Sequence, residues 1–338
     1  MEQQTVRNHY LPQMYLKNWS LDGNTIFMYN RLVSHSDVPY WSKKFIKHTA
    51  YNHHLYTAME NSTITDKFEK WLQHDVENPA KESLEKVICG KLLSKADMSN
   101  LLRFTAVQMV RTPAYYYDKY QSVDKAVLLD KAADNLARDL KERITSIKRG
   151  EIPQISFANK VVKRPVNVKI VDRYEQNVYV EYSILEGRMA WLSHIEYATK
   201  NILLPLFLEQ QWHVIRIHQS IELPTSDNPV VLTVMFLQNG VEILFPLSPH
   251  FLLYCMIGRK FSDIEINNLQ GNEKFSRLVW KLILENSFLY VYSKEKQKGM
   301  FSNCPRTIDE LQFKRINQMM DDWHNINLSA EKNFFDKI

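Results

Sequence analysis

Apolar residues recur at helical spacing along the first half of the chain. From Phe68 to Val76 they follow the i, i+3, i+4, i+8 pattern of one helix face. Pro79 removes a backbone donor and clashes with the preceding turn, so we expect it to kink or restart this helix. Two further helices are predicted over residues 97–109 and 123–149.

Strand-like runs of β-branched and aromatic residues cluster in the second half of the chain. They cover residues 212–217, 230–234, 243–247, 252–257 and 288–292, and an earlier run at 25–29 follows a turn signal. Helical patterns are predicted at residues 184–208, 263–269, 272–286 and 308–323. Helical runs followed by clustered strands indicate an α+β fold, a helical bundle packed with a small, mostly antiparallel sheet.

Changes in this pattern divide the chain into four regions. They are an extended N-terminal segment and hairpin (1–60), a helical region (61–150), a β insertion (151–183) and a helix with an antiparallel sheet and C-terminal helices (184–338). The first two regions and the last are also compatible with one domain, because 338 residues correspond to one elaborated domain or two ordinary ones.

Composition excludes several classes of protein. Only 8 of 338 residues are glycine, and none belongs to a GxGxxG or GxxxxGK[ST] phosphate loop. The three cysteines are far apart and show no zinc-ligand spacing, so we predict neither a disulfide framework nor a metal site. We leave the cofactor open.

The net charge is +5, which permits contact with nucleic acid without requiring it. No signal peptide and no apolar run of about 20 residues is present. The expectation is a cytoplasmic protein that does not enter a membrane, with protein partners and oligomeric state undetermined.

Three short polar motifs supply the candidate chemistry. In the first, His9 precedes a proline-fixed turn and has a side chain suited to proton transfer near neutral pH, while Gln13 is suited to orienting a water. The alternative is that both side chains pin the N-terminal segment through bonds to backbone.

In the second motif, Gln108 and Arg111 are one helical turn apart, so both side chains can meet one ligand or one loop. The planar guanidinium of arginine suits phosphate or carboxylate. The alternative is a structural arginine that binds carbonyl groups at a helix end disturbed by Pro113.

The third motif, Ser226-Asp227-Asn228, lies between two prolines. Asp227 is a candidate general base or orienter of His9, and the alternative is a side-chain-stabilised turn. Glu69 and Glu77 are eight residues apart on the first predicted helix, where a carboxylate site and a solvated surface are both compatible with the sequence.

Taken in order, these motifs resemble the bacterial domain-of-unknown-function family 4238. The resemblance rests on His9 to Leu16, Gln108 to Pro113, Thr225 to Pro229 and Phe245 to Pro249, and spans roughly residues 7–295. It implies a bacterial, cytosolic protein of the kind found on mobile or accessory genomic islands, and it supplies signature positions without a reaction.

The hypothesis that follows is one pocket assembled from distant motifs. His9, Asp227 and Gln13 would be catalytic, and Arg111, Gln108, Ser226, Asn228 and Tyr10 would bind the substrate. This makes the protein a candidate hydrolase or nuclease-like effector that acts on nucleic acid, a nucleotide or another phosphate compound, with a role in phage defence. The alternative is a non-catalytic interaction or nucleic-acid-binding module whose polar motifs are structural.

Overall fold

Short strands and medium-length helices alternate along the whole chain in the computed structural model, which describes residues 6–60, 63–117, 166–174, 177–184, 187–233, 241–297 and 299–335. The α+β class is confirmed. The predicted helix over residues 123–149 lies outside the described residues.

The helices are α1 (Gln13–Leu16), α2 (Lys67–Trp71), α3 (Asn78–Ile88), α4 (Lys95–Val110), α5 (Pro113–Tyr115), α6 (Arg188–Ala198), α7 (Leu204–Leu208), α8 (Asp263–Leu269), α9 (Glu273–Asn286), α10 (Met300–Asn303) and α11 (Glu310–Phe335). Two π-helical segments, Leu72–Glu77 and Thr199–Leu203, join α2 to α3 and α6 to α7. Two 3₁₀ turns cover Lys17–Trp19 and Ile46–His48.

The strands are β1 (Arg7–His9), β2 (Thr25–Asn30), β3 (Leu32–Val33), β4 (Trp41–Phe45), β5 (Tyr51–His53), β6 (Ala58–Glu60), β7 (Thr63–Thr65), β8 (Val166–Tyr174), β9 (Asn177–Ile184), β10 (His213–Arg216), β11 (Thr225–Ser226), β12 (Val231–Thr233), β13 (Glu242–Ser248), β14 (Phe251–Met256), β15 (Tyr290–Ser293) and β16 (Thr307–Ile308).

These strands form several small sheets in place of the single one that the sequence predicts. Within the described residues, two sheets have four strands, in the orders β11-β15-β2-β4 and β10-β14-β13-β12, and the others are two-stranded. Among the strands that the structure describes, every pairing is antiparallel except that of β16 with β3. Of these described strands, β4 pairs with β2 alone and lies at an edge of its sheet.

The N-terminal segment contributes directly to the main hydrophobic core. Tyr15 is fully buried, and its hydroxyl group lies 2.7 Å from the Thr225 hydroxyl oxygen and donates to the Pro246 carbonyl at 2.8 Å. The buried indole of Trp19 donates to the Leu223 carbonyl at 2.7 Å. These bonds join residues more than 200 positions apart, so the N-terminal segment folds together with residues 223–246.

Two helices behind this segment carry residues of the candidate site. Ser94 caps α4 through a reciprocal capping box with Asp97, which fixes where the helix begins. Pro79 lies near the start of α3, directly after the π-helical segment, and the helical backbone runs through both without a break, so the structure shows π turns before Pro79 and no restart. In the part of the chain that the structure describes, every helix is too short or too polar to span a bilayer.

Candidate functional site

A cleft of about 500 Å³ lies beside the N-terminal segment. It is lined by Arg7, His9, Pro12, Gln13, Met14, Lys47, Glu69, Gln73, Glu77, Asn78 and Lys81. Two of the three residues predicted to be catalytic, His9 and Gln13, are among them. Three cationic side chains, those of Arg7, Lys47 and Lys81, share this surface with two carboxylates.

Local backbone structure positions His9 in the cleft. The residue pairs with Tyr51 across strands β1 and β5, and the next amide, that of Tyr10, donates to the Ala50 carbonyl at 3.0 Å. The Nε2 atom of His9 is buried and has no hydrogen-bond partner. Burial, followed by the charge of Arg111, lowers the pKa of His9 to about 4. The imidazole is therefore neutral at pH 7 and presents a free nitrogen.

Glu69 supplies the second titratable group. Its Oε2 atom is buried without a hydrogen-bond partner. Burial, followed by the charge of Glu77, raises the pKa of Glu69 to about 7, although a hydrogen bond from Asn8 opposes the shift. A carboxyl group with this pKa exchanges protons readily at neutral pH.

Arg111 lies behind the cleft and has protein partners. The side chain is fully buried, its Nε donates to the Tyr10 carbonyl at 2.9 Å, and its Nη1 pairs with Glu77 at 2.8 Å. With the Gln108 amide oriented to suit its neighbours, the Gln108 oxygen accepts from Nε and Nη2 of Arg111 at 2.9 and 3.0 Å. The guanidinium group is thus held by other groups of the protein. In addition to the larger effect of burial, its charge acts on the cleft by lowering the pKa of His9.

Asp227 is bound to the backbone of another segment. The side chain is buried, and its carboxylate accepts from the amides of Phe288, Leu289 and Tyr290 at 2.8, 2.6 and 3.1 Å. Burial raises the pKa of Asp227 to about 6 against the effect of these bonds. The residues that line the cleft do not include Asp227.

The neighbours of Asp227 also make turn contacts. The Ser226 hydroxyl group donates to the Asn228 carbonyl at 2.9 Å, and the Asn228 side-chain amide donates to the Asn286 carbonyl at 3.0 Å. Neither residue lines the cleft.

Tyr10 connects the three motifs. Its carbonyl accepts from Arg111, and its buried hydroxyl group has a pKa raised by burial and then by the charge of Asp227. The motifs therefore meet around Tyr10, but only the first of them reaches the cleft surface.

Glu69 and Glu77 are candidates that the sequence hypothesis left out of the proposed pocket. Their spacing on one helix indicated a shared side, which the cleft confirms. Their approach to His9 depends on packing between segments about 60 residues apart, which no local pattern encodes. Among the described residues, no group of three or more His, Cys, Asp or Glu side chains is arranged to hold a metal ion.

Comparison with protein-family models gives a match over most of the chain. The model of the family described as "Protein of unknown function (DUF4238)" matches residues 7–322. No curated protein and no solved structure matches the chain.

Proposed function

The chain belongs to the DUF4238 family, and we propose that it is a hydrolase that cleaves a phosphate ester at the cleft lined by His9 and Glu69. We further propose that it acts in the bacterial cytoplasm as a nuclease-like effector with a role in phage defence. The polar cleft and its two unpartnered titratable atoms support this proposal.

The observation that carries the proposal is the state of Glu69. A buried carboxylate oxygen without a hydrogen-bond partner costs free energy in the folded protein, and most buried polar atoms avoid that cost. Strongly perturbed titratable groups in a cleft are enriched at catalytic sites. The Nε2 atom of His9, in the same cleft, is a second such atom.

The proposed reaction uses these two side chains and one water molecule. Ionised Glu69 accepts a proton from the water. At the same time the water oxygen forms a bond to phosphorus, and the bond between phosphorus and the leaving oxygen breaks. The proton then passes from Glu69 to the leaving oxygen, which restores the carboxylate. With its ring proton on Nδ1, His9 accepts a hydrogen bond from the water through Nε2 and orients it.

The cationic residues of the cleft provide the substrate contacts. Arg7, Lys47 and Lys81 are exposed, and they offer charge-assisted hydrogen bonds to phosphate oxygens. Arg111 adds positive charge from behind the surface, where Glu77 balances it.

A second candidate function is a non-catalytic interaction module. It is favoured by the protein-bound state of Arg111 and Asp227, two of the signature residues. In that case the motifs only fasten the N-terminal segment to the helices and sheets.

Variants of Glu69 and His9 test the enzyme proposal. The substrates are bis(p-nitrophenyl) phosphate, nucleotides, and single- and double-stranded nucleic acid. We expect Glu69→Gln and His9→Ala each to lower kcat/KM by about 10²–10⁴-fold, the usual contribution of acid–base catalysis. Glu82→Gln is the matched control, because Glu82 is an exposed residue of the same helical run that does not line the cleft.

The pH profile provides an independent readout. Because Glu69 must be ionised to act as a base, kcat/KM is expected to rise with pH up to about 7 and then level off. Hydrolysis that is absent from all substrates, or equal in wild type and folded Glu69→Gln, would support the interaction module instead.

A further inference from the structure

A surface rich in lysine and histidine adjoins the cleft. We call it the cationic ridge, and its residues are Arg7, Lys43, Phe45, Lys47, His48, Tyr51 and His53. All of these side chains are exposed except that of Tyr51, which is half-buried. Residues 38–59 contain no Asp or Glu, so no acidic residue offsets the positive charges along this part of the chain.

Side-chain contacts connect Arg7, His48, Tyr51 and His53 within the ridge. The Arg7 Nη1 atom lies 3.3 Å from His48 Nδ1, and the Arg7 guanidinium lies 5.6 Å from the centre of the Tyr51 ring. The Tyr51 ring is in turn 5.7 Å from the His9 ring and 5.4 Å from the His53 ring.

The ridge and the cleft share residues. Arg7 and Lys47 line the cleft as well as the ridge, and His9 contacts Tyr51 from the cleft side. A ligand that follows the ridge is therefore delivered to the proposed catalytic groups.

The last three side chains of the edge strand β4 are exposed. Side chains alternate between the faces of a strand, so Lys43 and Phe45 share one face and Lys44 lies on the other. Phe45 is 56% exposed, and Lys47 Nζ lies 5.8 Å from the centre of its ring. Within the described residues, no ion pair with a carboxylate engages Lys43, Lys44 or Lys47.

We propose that the cationic ridge binds single-stranded nucleic acid and guides it to the cleft. Lysine and arginine side chains neutralise successive phosphates, and an exposed aromatic ring beside them stacks on a base. This combination fits an unpaired strand, because the bases of a duplex are already stacked on one another. The delivery of a scissile phosphate rests on the proposed hydrolase function, whereas the binding step does not.

Fluorescence anisotropy with the full-length protein tests the binding step. The probe is a labelled oligothymidine of about 12 nucleotides, inside the ~4–16-nucleotide range of single-strand sites, and a duplex of equal length is the competitor. We expect Phe45→Leu, which keeps an apolar side chain but removes the ring, to weaken binding about tenfold. Phe45→Tyr is expected to retain it.

Salt dependence tests the phosphate contacts. Lys43→Ala/Lys47→Ala should lower the slope of log affinity against log salt by about 1.4, since each lost single-strand phosphate contact contributes about 0.7. Lys260→Ala/Lys274→Ala is the matched control, because it removes two exposed lysines on other elements and should leave the slope unchanged. Equal slopes in the two double variants would overturn the proposal.

Three further outcomes separate the hypotheses. Binding of heparin as tight as that of oligothymidine, insensitive to Phe45→Leu, would make the ridge a general polyanion surface and contradict the proposal. Binding that persists in Glu69→Gln while wild-type hydrolysis is absent would remove the hydrolase function alone. Hydrolysis of bis(p-nitrophenyl) phosphate that survives Phe45→Leu, with oligothymidine binding lost, is the result expected if both proposals hold.

Discussion

At the level of single residues, burial shifts the pKa values of two titratable cleft residues in opposite directions. It raises the pKa of Glu69 to about 7 and lowers that of His9 to about 4, because a low-dielectric environment disfavours whichever form is charged. Arg111 and Glu77 remain a pair behind them at 2.8 Å. The cleft therefore combines a neutral base, a carboxyl group that titrates near pH 7 and a fixed ion pair.

A substitution at Asp227 distinguishes the catalytic role that the sequence predicts from the structural role that its hydrogen bonds indicate. Asp227→Asn places an amide where three backbone N–H groups need acceptors, so at least one donor loses its partner. We expect the free energy of unfolding to fall by about 1–3 kcal/mol, measured by urea denaturation. Hydrolysis by the folded variant should stay close to wild type, whereas a large loss in kcat without loss of stability would restore Asp227 as a partner of His9.

At the scale of elements, the helical run from Lys67 to Ile88 shapes the cleft. Its middle segment, Leu72–Glu77, is π-helical, and the i→i+5 bonds give wider turns than those of an α-helix. These turns bring Glu69 and Glu77 toward one face. Single π turns inside helices are frequent at functional sites, which agrees with the position of this segment on the cleft.

Helix α4 contains Gln108 and ends directly before Arg111, far from its capped start, so we expect the cap to matter for stability and not for chemistry. Ser94→Ala removes the side-chain acceptor of the capping box. We expect a loss of about 1 kcal/mol in the free energy of unfolding and an unchanged kcat/KM. Thermal denaturation followed by circular dichroism checks the first value, with Ser94→Asp as a control that preserves a cap; a change in kcat/KM at equal stability would contradict this role.

At the scale of the whole molecule, the C-terminal helix is fastened by a buried ion pair. Arg188 and Glu331 are each about 1% exposed, and they form two hydrogen bonds of 3.0 and 2.6 Å. Asn52 on β5 also donates to the Met320 carbonyl at 3.0 Å, which joins this helix to the N-terminal strands. The family match ends at residue 322, so Glu331 lies beyond it.

Removing one partner of this pair should destabilise the fold. Glu331→Ala leaves Arg188 buried without its carboxylate, and we expect the free energy of unfolding to fall by about 3–5 kcal/mol. Arg188→Met/Glu331→Leu replaces both charges and should cost much less, since apolar pairs of similar volume often substitute for buried ion pairs. Equal losses in the two variants, measured by urea denaturation, would show that packing and not the unpaired charge sets the cost.

The α+β class and the positions of the longer elements follow from local residue pattern. The apolar spacing placed a helix over residues 97–109, within one to two residues of Lys95–Val110, because helix propensity and capping act over neighbouring residues. The strand predicted over residues 25–29 is Thr25–Asn30. These features depend on interactions within about one turn.

Which polar side chains share a surface depends on tertiary structure. It placed Glu69 and His9 in one cleft, enclosed Arg111 between Glu77 and the Tyr10 carbonyl, and bound Asp227 to the amides of residues 288–290. The sequence identified these residues as candidates, but their roles depend on burial and on partners 34 to 101 positions away. Burial and long-range pairing arise from packing of the whole chain, and local residue patterns do not encode them.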